Sequence, residues 1–154
     1  MRTPASPPPP VSDEQIIRTF TFITIAFCSA LVLISALCVF VVVPHGSVRS
    51  RGVLIGVALG LVSWFGSRWI TSSALDRAAR PGLTDKGVAA PLGVAVFRGI
   101  AVAEAPALVG FLLAVADGVD VGPLVIAVPV GIVAIVLNAS GPAAIRRHLA
   151  QLRT

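Results

Sequence analysis

One carboxylate stands apart from every other charged residue in this chain. Glu104 lies in a run from Gly93 to Ala116 whose only other charge is Arg98. Counted from Gly93 at about 1.5 Å per residue, Glu104 is about 16 Å along a helix axis, close to the middle of a hydrocarbon layer about 30 Å thick. An acid at that depth costs at least ~2.5 kcal/mol, so it is tolerated when protonated, paired, or facing water. Pro106, two residues on, lacks an N–H and frees the Val102 carbonyl, which can accept a hydrogen bond from protonated Glu104. Arg68 and Arg98 are the candidate ion-pair partners, each about 7 Å inside the cytoplasmic boundary of its helix. Arg98 is about 240° round the helix from Glu104 and is expected to snorkel to the head groups. Arg68 comes from the neighbouring helix and must bridge about 9 Å of depth. Three roles for Glu104 stay open: structural pairing, ion or proton handling, and contact with a substrate or partner.

The other reactive residue types give no catalytic set. Cys28 and Cys38 are ten residues apart on one helix, too far to bridge, and read as small packing residues. His45 and His148 fall on opposite sides of the membrane and cannot share a metal. No zinc-protease helix, nucleophile elbow, paired-cysteine or phosphate-loop pattern is present. Thr84-Asp85-Lys86 is a turn or a helix start. The expectation is a protein that is no enzyme and needs no cofactor or metal.

The elements that must carry Glu104 follow from hydropathy. The chain is 56% hydrophobic and 12% charged, with a mean hydropathy of +0.94. A soluble domain needs about a quarter of its residues charged, so the expected class is all-α: a multi-pass protein of the cell membrane, a four-transmembrane-helix bundle. Residues 1–11 form a disordered tail containing Pro7-Pro8-Pro9-Pro10. Ser12 and Gln15 then write a capping box, with Val11 and Ile16 as its hydrophobic staple. The spans are expected at about 19–43, 53–70, 93–116 and 121–137. The first is too long for a signal core and has acids in its flank, so it is retained. The second continues through Asp76, Arg77 and Arg80 to a stop at Pro81-Gly82, with Trp64 and Trp69 at the head-group boundary. Gly52, Gly56 and Gly60 make one bare helix face suited to close packing. Pro106 and Pro129 are expected kinks. Residues 138–154 form a basic amphipathic tail, with Ile145, Leu149 and Leu152 on one stripe, lying on the membrane surface.

Orientation follows from counting cations. Arg2, Arg18, Arg77, Arg80, Lys86, Arg146, Arg147 and Arg153 fall on one side, and Arg49 and Arg51 on the other. Eight against two puts both termini in the cytoplasm. The basic residues form no cluster with interleaved aromatics, so the net charge of +5 points to lipid head groups and not to nucleic acid.

The stretch Ala103-Glu104-Ala105-Pro106-Ala107-Leu108-Val109-Gly110-Phe111-Leu112-Leu113-Ala114 resembles the carboxylate helix of the proteolipid ring subunits of rotary ATP synthases and ATPases. In those helical hairpins a glycine-rich helix packs on one bearing a midmembrane Glu that binds a proton or sodium ion. The resemblance implies that role for Glu104. The chain departs from it in glycines every fourth residue, a longer connecting loop, Arg98, and two extra spans. Two functional expectations result. The first is a non-enzymatic subunit or accessory factor of a larger membrane complex, meeting other subunits or its own copies through the Gly52/Gly56/Gly60 face. The second is a proton- or ion-translocating subunit using Glu104.

Overall fold

The first helix begins where its sequence writes a start. Ser12 Oγ accepts from the Gln15 N–H, and the Gln15 side chain accepts from the Ser12 N–H, closing the capping box that satisfies two orphan donors. The computed structural model describes residues 12–79 and 85–153, apart from the side chains of Asp85 and Lys86. The proline-rich tail with Arg2, the staple residue Val11, Arg80, the Pro81-Gly82 stop and Thr84 lie outside the described residues. Helix α1 spans Asp13–Leu37 and closes with a π-helical turn, Cys38–Val42; α2 spans Ser50–Ala78 and α3 Asp85–Asp117. Helix α4 spans Gly122–Ala134 and runs into a second π-helical segment, Ile135–Ser140, before α5, Pro142–Arg153. Among the described residues there is no strand beyond a single backbone bridge between Ser47 and Asp120.

Among the described residues four helical stretches are long and apolar enough to cross a membrane: Asp13–Val42, Ser50–Ala78, Gly87–Asp117 and Gly122–Arg153. They overrun the expected spans at almost every end, because hydropathy marks where the lipid would be and not where helical hydrogen bonding stops. Both prolines are carried without a break: α3 is continuous through Pro106 and α4 through Pro129. The irregular hydrogen bonding comes instead at Ile135–Ser140, where the Gly141 N–H reaches back to the Val136 carbonyl at 3.1 Å. A Cβ on Gly141 would overlap that carbonyl, so a glycine is needed there.

Helix α2 is inverted relative to a helix of a water-soluble core. Its buried face reads Gly52, Gly56, Gly60, Ser63, Ser67, Thr71 and Leu75, while Leu54, Leu61, Val62, Phe65 and Trp69 point outward. Small residues inside and large apolar ones outside is how helices pack when the surroundings are as apolar as the side chains. The glycine face is filled by α4 of the same chain. A Cβ on Gly56 would lie 2.7 Å from Ile126 Cβ, and one on Gly60 3.1 Å from Val130. That face is therefore spent within the bundle and does not present itself to another subunit, which corrects the expected docking role. Nor do Gly56 and Gly60 pack against α3, as the proteolipid plan would have it.

The amphipathic tail is also placed differently. Ile145, Leu149 and Leu152 are buried against the bundle. Three apolar residues at i, i+4 and i+7 specify a face to cover, and protein covers it here. Arg153 pairs with Asp13 at 2.7 Å, and Gln151 bonds Asp76, so α5 ties the start of α1 to the end of α2.

Candidate functional site

Midway along the bundle three helices meet at one carbonyl. Ser63 Oγ of α2 donates to the Ala103 carbonyl at 2.7 Å, and Gly131 of α4 comes so close to that oxygen that a Cβ would sit 3.2 Å from it. Ala103 and Ala107 are buried at this crossing, at 0% and 1% exposure. Their burial fixes the rotation of α3. Glu104, one residue further round, is half-buried, turned out of the α2–α4 seam toward Cys28 of α1. On α1, one turn before Cys28, Thr24 Oγ1 lies 2.7 Å from Ser140 Oγ and pins α1 to the π-helical segment.

Among the described residues no hydrogen bond or ion pair reaches Glu104. Arg98 is exposed on α3, as the helical wheel requires. Arg68 is exposed on α2, beside the cavity that α2 shares with α5. The Val102 carbonyl receives nothing from Glu104 either; Val102 is nearly opposite on the helix, against Gly66. The residues grouped by depth in the sequence thus lie on different sides of α2 and α3, since depth fixes the level of a side chain and not its azimuth.

The loop end of the bundle holds a second carboxylate, Asp120, which is not among the candidate residues above. Asp120 Oδ1 accepts from the Arg49 N–H at 3.2 Å and the Gly122 N–H at 2.9 Å. The Asp120 N–H in turn donates to Asp117 Oδ2 at 2.8 Å. Asp120 therefore caps two helices at once, α2 from across the chain and α4 from its own side, where orphan N–H groups and the helix dipoles favour an anion. The Gly122 N–H, then those of Arg49 and Gly52 and the Arg49 charge, hold its carboxyl below the usual carboxylate range against the opposing effect of its burial. Gly52 leaves the room; a Cβ there would overlap both Asp120 oxygens. The cue was available in sequence, since Asp120 stands two residues before Gly122-Pro123 as a helix start.

At the opposite end α2, the π-helical segment and α5 enclose a cavity of about 180 Å³ lined by Arg68, Thr71, Asn138, Arg147, His148 and Gln151. Asn138 Nδ2 donates to the Trp64 carbonyl at 3.2 Å, and Arg147 donates to the Leu137 carbonyl. His148, on α5, is 7% exposed. Two buried polar atoms here have no partner: Thr71 Oγ1 and His148 Nδ1. His45 is exposed in the loop after α1. Among the described residues no three His, Cys, Asp or Glu side chains gather as a metal site requires. No protein-family model, curated protein or solved structure matches the chain.

Proposed function

We propose that this chain is a non-enzymatic multi-pass subunit or accessory factor of the cell membrane, with both termini cytoplasmic, and that Glu104 is the group through which it acts, by taking up and releasing a proton or small cation within the bilayer. The observation that carries this reading is the isolation of Glu104: a half-buried acid halfway along a membrane-length helix, with no cation and no hydrogen bond committed to it. Structural pairing requires a partner, and Arg68 and Arg98 both face elsewhere. A carboxyl left without a partner in apolar surroundings sheds its charge, since carrying the ion unpaired costs far more than carrying the acid. Such a group responds to whatever brings a proton, a cation or a basic side chain to the seam between α1 and α3. The subunit role is supported by the loops, which are too short to house a separate active site. It is supported too by α1, of whose most apolar window 11% is buried within the chain.

A carbodiimide tests this, because it modifies protonated carboxyls in apolar surroundings. Glu104 is expected to label near neutral pH, to label less as pH rises, and to be silent in Glu104→Gln. That variant is expected to keep the melting temperature of the parent in detergent, since the amide mimics the neutral acid. Absent labelling even in acid, together with a destabilised Gln variant, would overturn the assignment and point to a buried ion pair.

A further inference from the structure

We infer that the cavity between α2, the π-helical segment and α5 is a binding site for a phosphate group, of the kind carried by an anionic lipid head group. The argument starts from unmet bonding capacity. Thr71 is 1% exposed and His148 7% exposed, yet Thr71 Oγ1 and His148 Nδ1 each lack a partner. Buried polar atoms are normally bonded, and the two residues that carry these exceptions both line one cavity, whose wall therefore holds bonding capacity unused within the chain. The His148 Nδ1 can donate or accept, according to the imidazole tautomer, toward a bound group.

Charge narrows the choice of occupant. Arg68 and Arg147 both line the cavity, and no carboxylate does. Asp76, the one acid of α2, is taken by Gln151. Arg147 gives one N–H to the Leu137 carbonyl and keeps the rest of its fork. Arg68 makes no hydrogen bond or ion pair among the described residues. A guanidinium matches phosphate in shape as well as in charge. The site also sits at the right level: Trp69, 67% exposed beside Arg68, is the side chain expected where hydrocarbon gives way to head groups. Basic pockets between membrane helices at that level suit anionic head groups.

The test uses the full chain purified in a neutral maltoside detergent and stripped of lipid. Phosphatidylglycerol, phosphatidylcholine and inorganic phosphate are then added separately, with retained lipid read by native mass spectrometry and stability by melting temperature. Phosphatidylglycerol is expected to be retained about tenfold over phosphatidylcholine and to raise the melting temperature, and Arg68→Gln to abolish that preference, the loss of one charge-assisted contact. Arg68→Lys should keep part of it, which reads the site even if the glutamine variant folds poorly. Arg98→Gln, an exposed arginine on another helix, should change nothing. Displacement of the lipid by millimolar inorganic phosphate would identify a soluble phosphate as the source, and failure to displace it would identify the head group. Equal retention of the two lipids with no stabilisation by phosphate, or equal losses in the Arg68 and Arg98 variants, would overturn the site.

Discussion

The two ends of the bundle solve the same problem in opposite ways. Each has a cavity of about 180 Å³ lined by two arginines, Arg49 and Arg51 at the α3–α4 loop, Arg68 and Arg147 at α5. At the loop end Asp117 and Asp120 also line the cavity, and Asp120 bonds backbone N–H groups at both helix starts. At the α5 end no acid among the described residues lines the cavity, and two buried polar atoms have nothing to bond. The first end is complete within the chain and the second is not. Polar groups at a membrane boundary can thus serve as a rigid joint or as a receptor, and the number of internal partners distinguishes the two.

The largest expected effect breaks the complete end. Gly52→Val drives a side chain into both Asp120 oxygens and should cost about 3 kcal/mol of stability in detergent, the upper part of the range for overpacking. Asp120→Ala uncaps two helices and should lower the melting temperature more than any single substitution at the α5 end. The acid titration has a definite sign. Because folding lowers the carboxyl's affinity for a proton, Asp120 contributes stability that is whole above its ordinary value of about 3.9 and is lost as pH falls through its lowered native value. Melting curves of Asp120→Asn should lack that contribution to the acid loss; identical acid profiles in the two proteins would remove Asp120 from the account.

Somewhat smaller is the pair Gly56→Ile and Gly110→Ile. A Cβ at Gly110 would lie 3.0 Å from the Pro123 carbonyl, much as one at Gly56 meets α4, so each change should cost about 2–3 kcal/mol and neither should exceed the other by much. A harmless Gly110→Ile would show that α3 and α4 are less tightly joined than α2 and α4.

At the incomplete end the sign reverses. Thr71→Val removes a hydroxyl that has no partner and keeps its shape, so lipid-free protein should be unchanged or more stable by up to about 1 kcal/mol. A loss above that size would mean the hydroxyl is already bonded. The smallest effect belongs to Arg153→Ala, which opens a partly exposed pair with Asp13 and should cost about 0.5 kcal/mol, screened further by salt.

Much of the architecture was legible because it depends on local pattern. The Ser12/Gln15 capping box, the number of long apolar helices and the close-packing role of Gly52, Gly56 and Gly60 all come from residues within a few turns of each other. What was not legible depends on azimuth. The glycines continue into Ser63, Ser67 and Thr71 as one buried stripe, but a hydroxyl in sequence does not announce which face it occupies. Glu104 was recognisable as anomalous from its depth, whereas the disengagement of Arg68 followed only from the rotation set at Ala103 by Ser63 and Gly131. The tail stripe of Ile145, Leu149 and Leu152 was expected on the membrane surface because amphipathicity says that a face is covered without saying by what. The double capping by Asp120 joins residues 71 positions apart, beyond any local signal.

The docking of α5 has a consequence for the order in which the protein is made. Helix α1 leaves the ribosome first, yet its polar anchors are Ser140, 116 residues beyond Thr24, and Arg153, 140 residues beyond Asp13. At about 5–20 residues per second the partners of α1 appear on the order of ten seconds after it does. During that interval α1 lacks both latches, and its polar anchoring waits on the arrival of α5. A chain halted before Pro142 should therefore form its long helices and yet be degraded faster than one that includes α5, which makes the docking of α5 a checkpoint on the placement of α1.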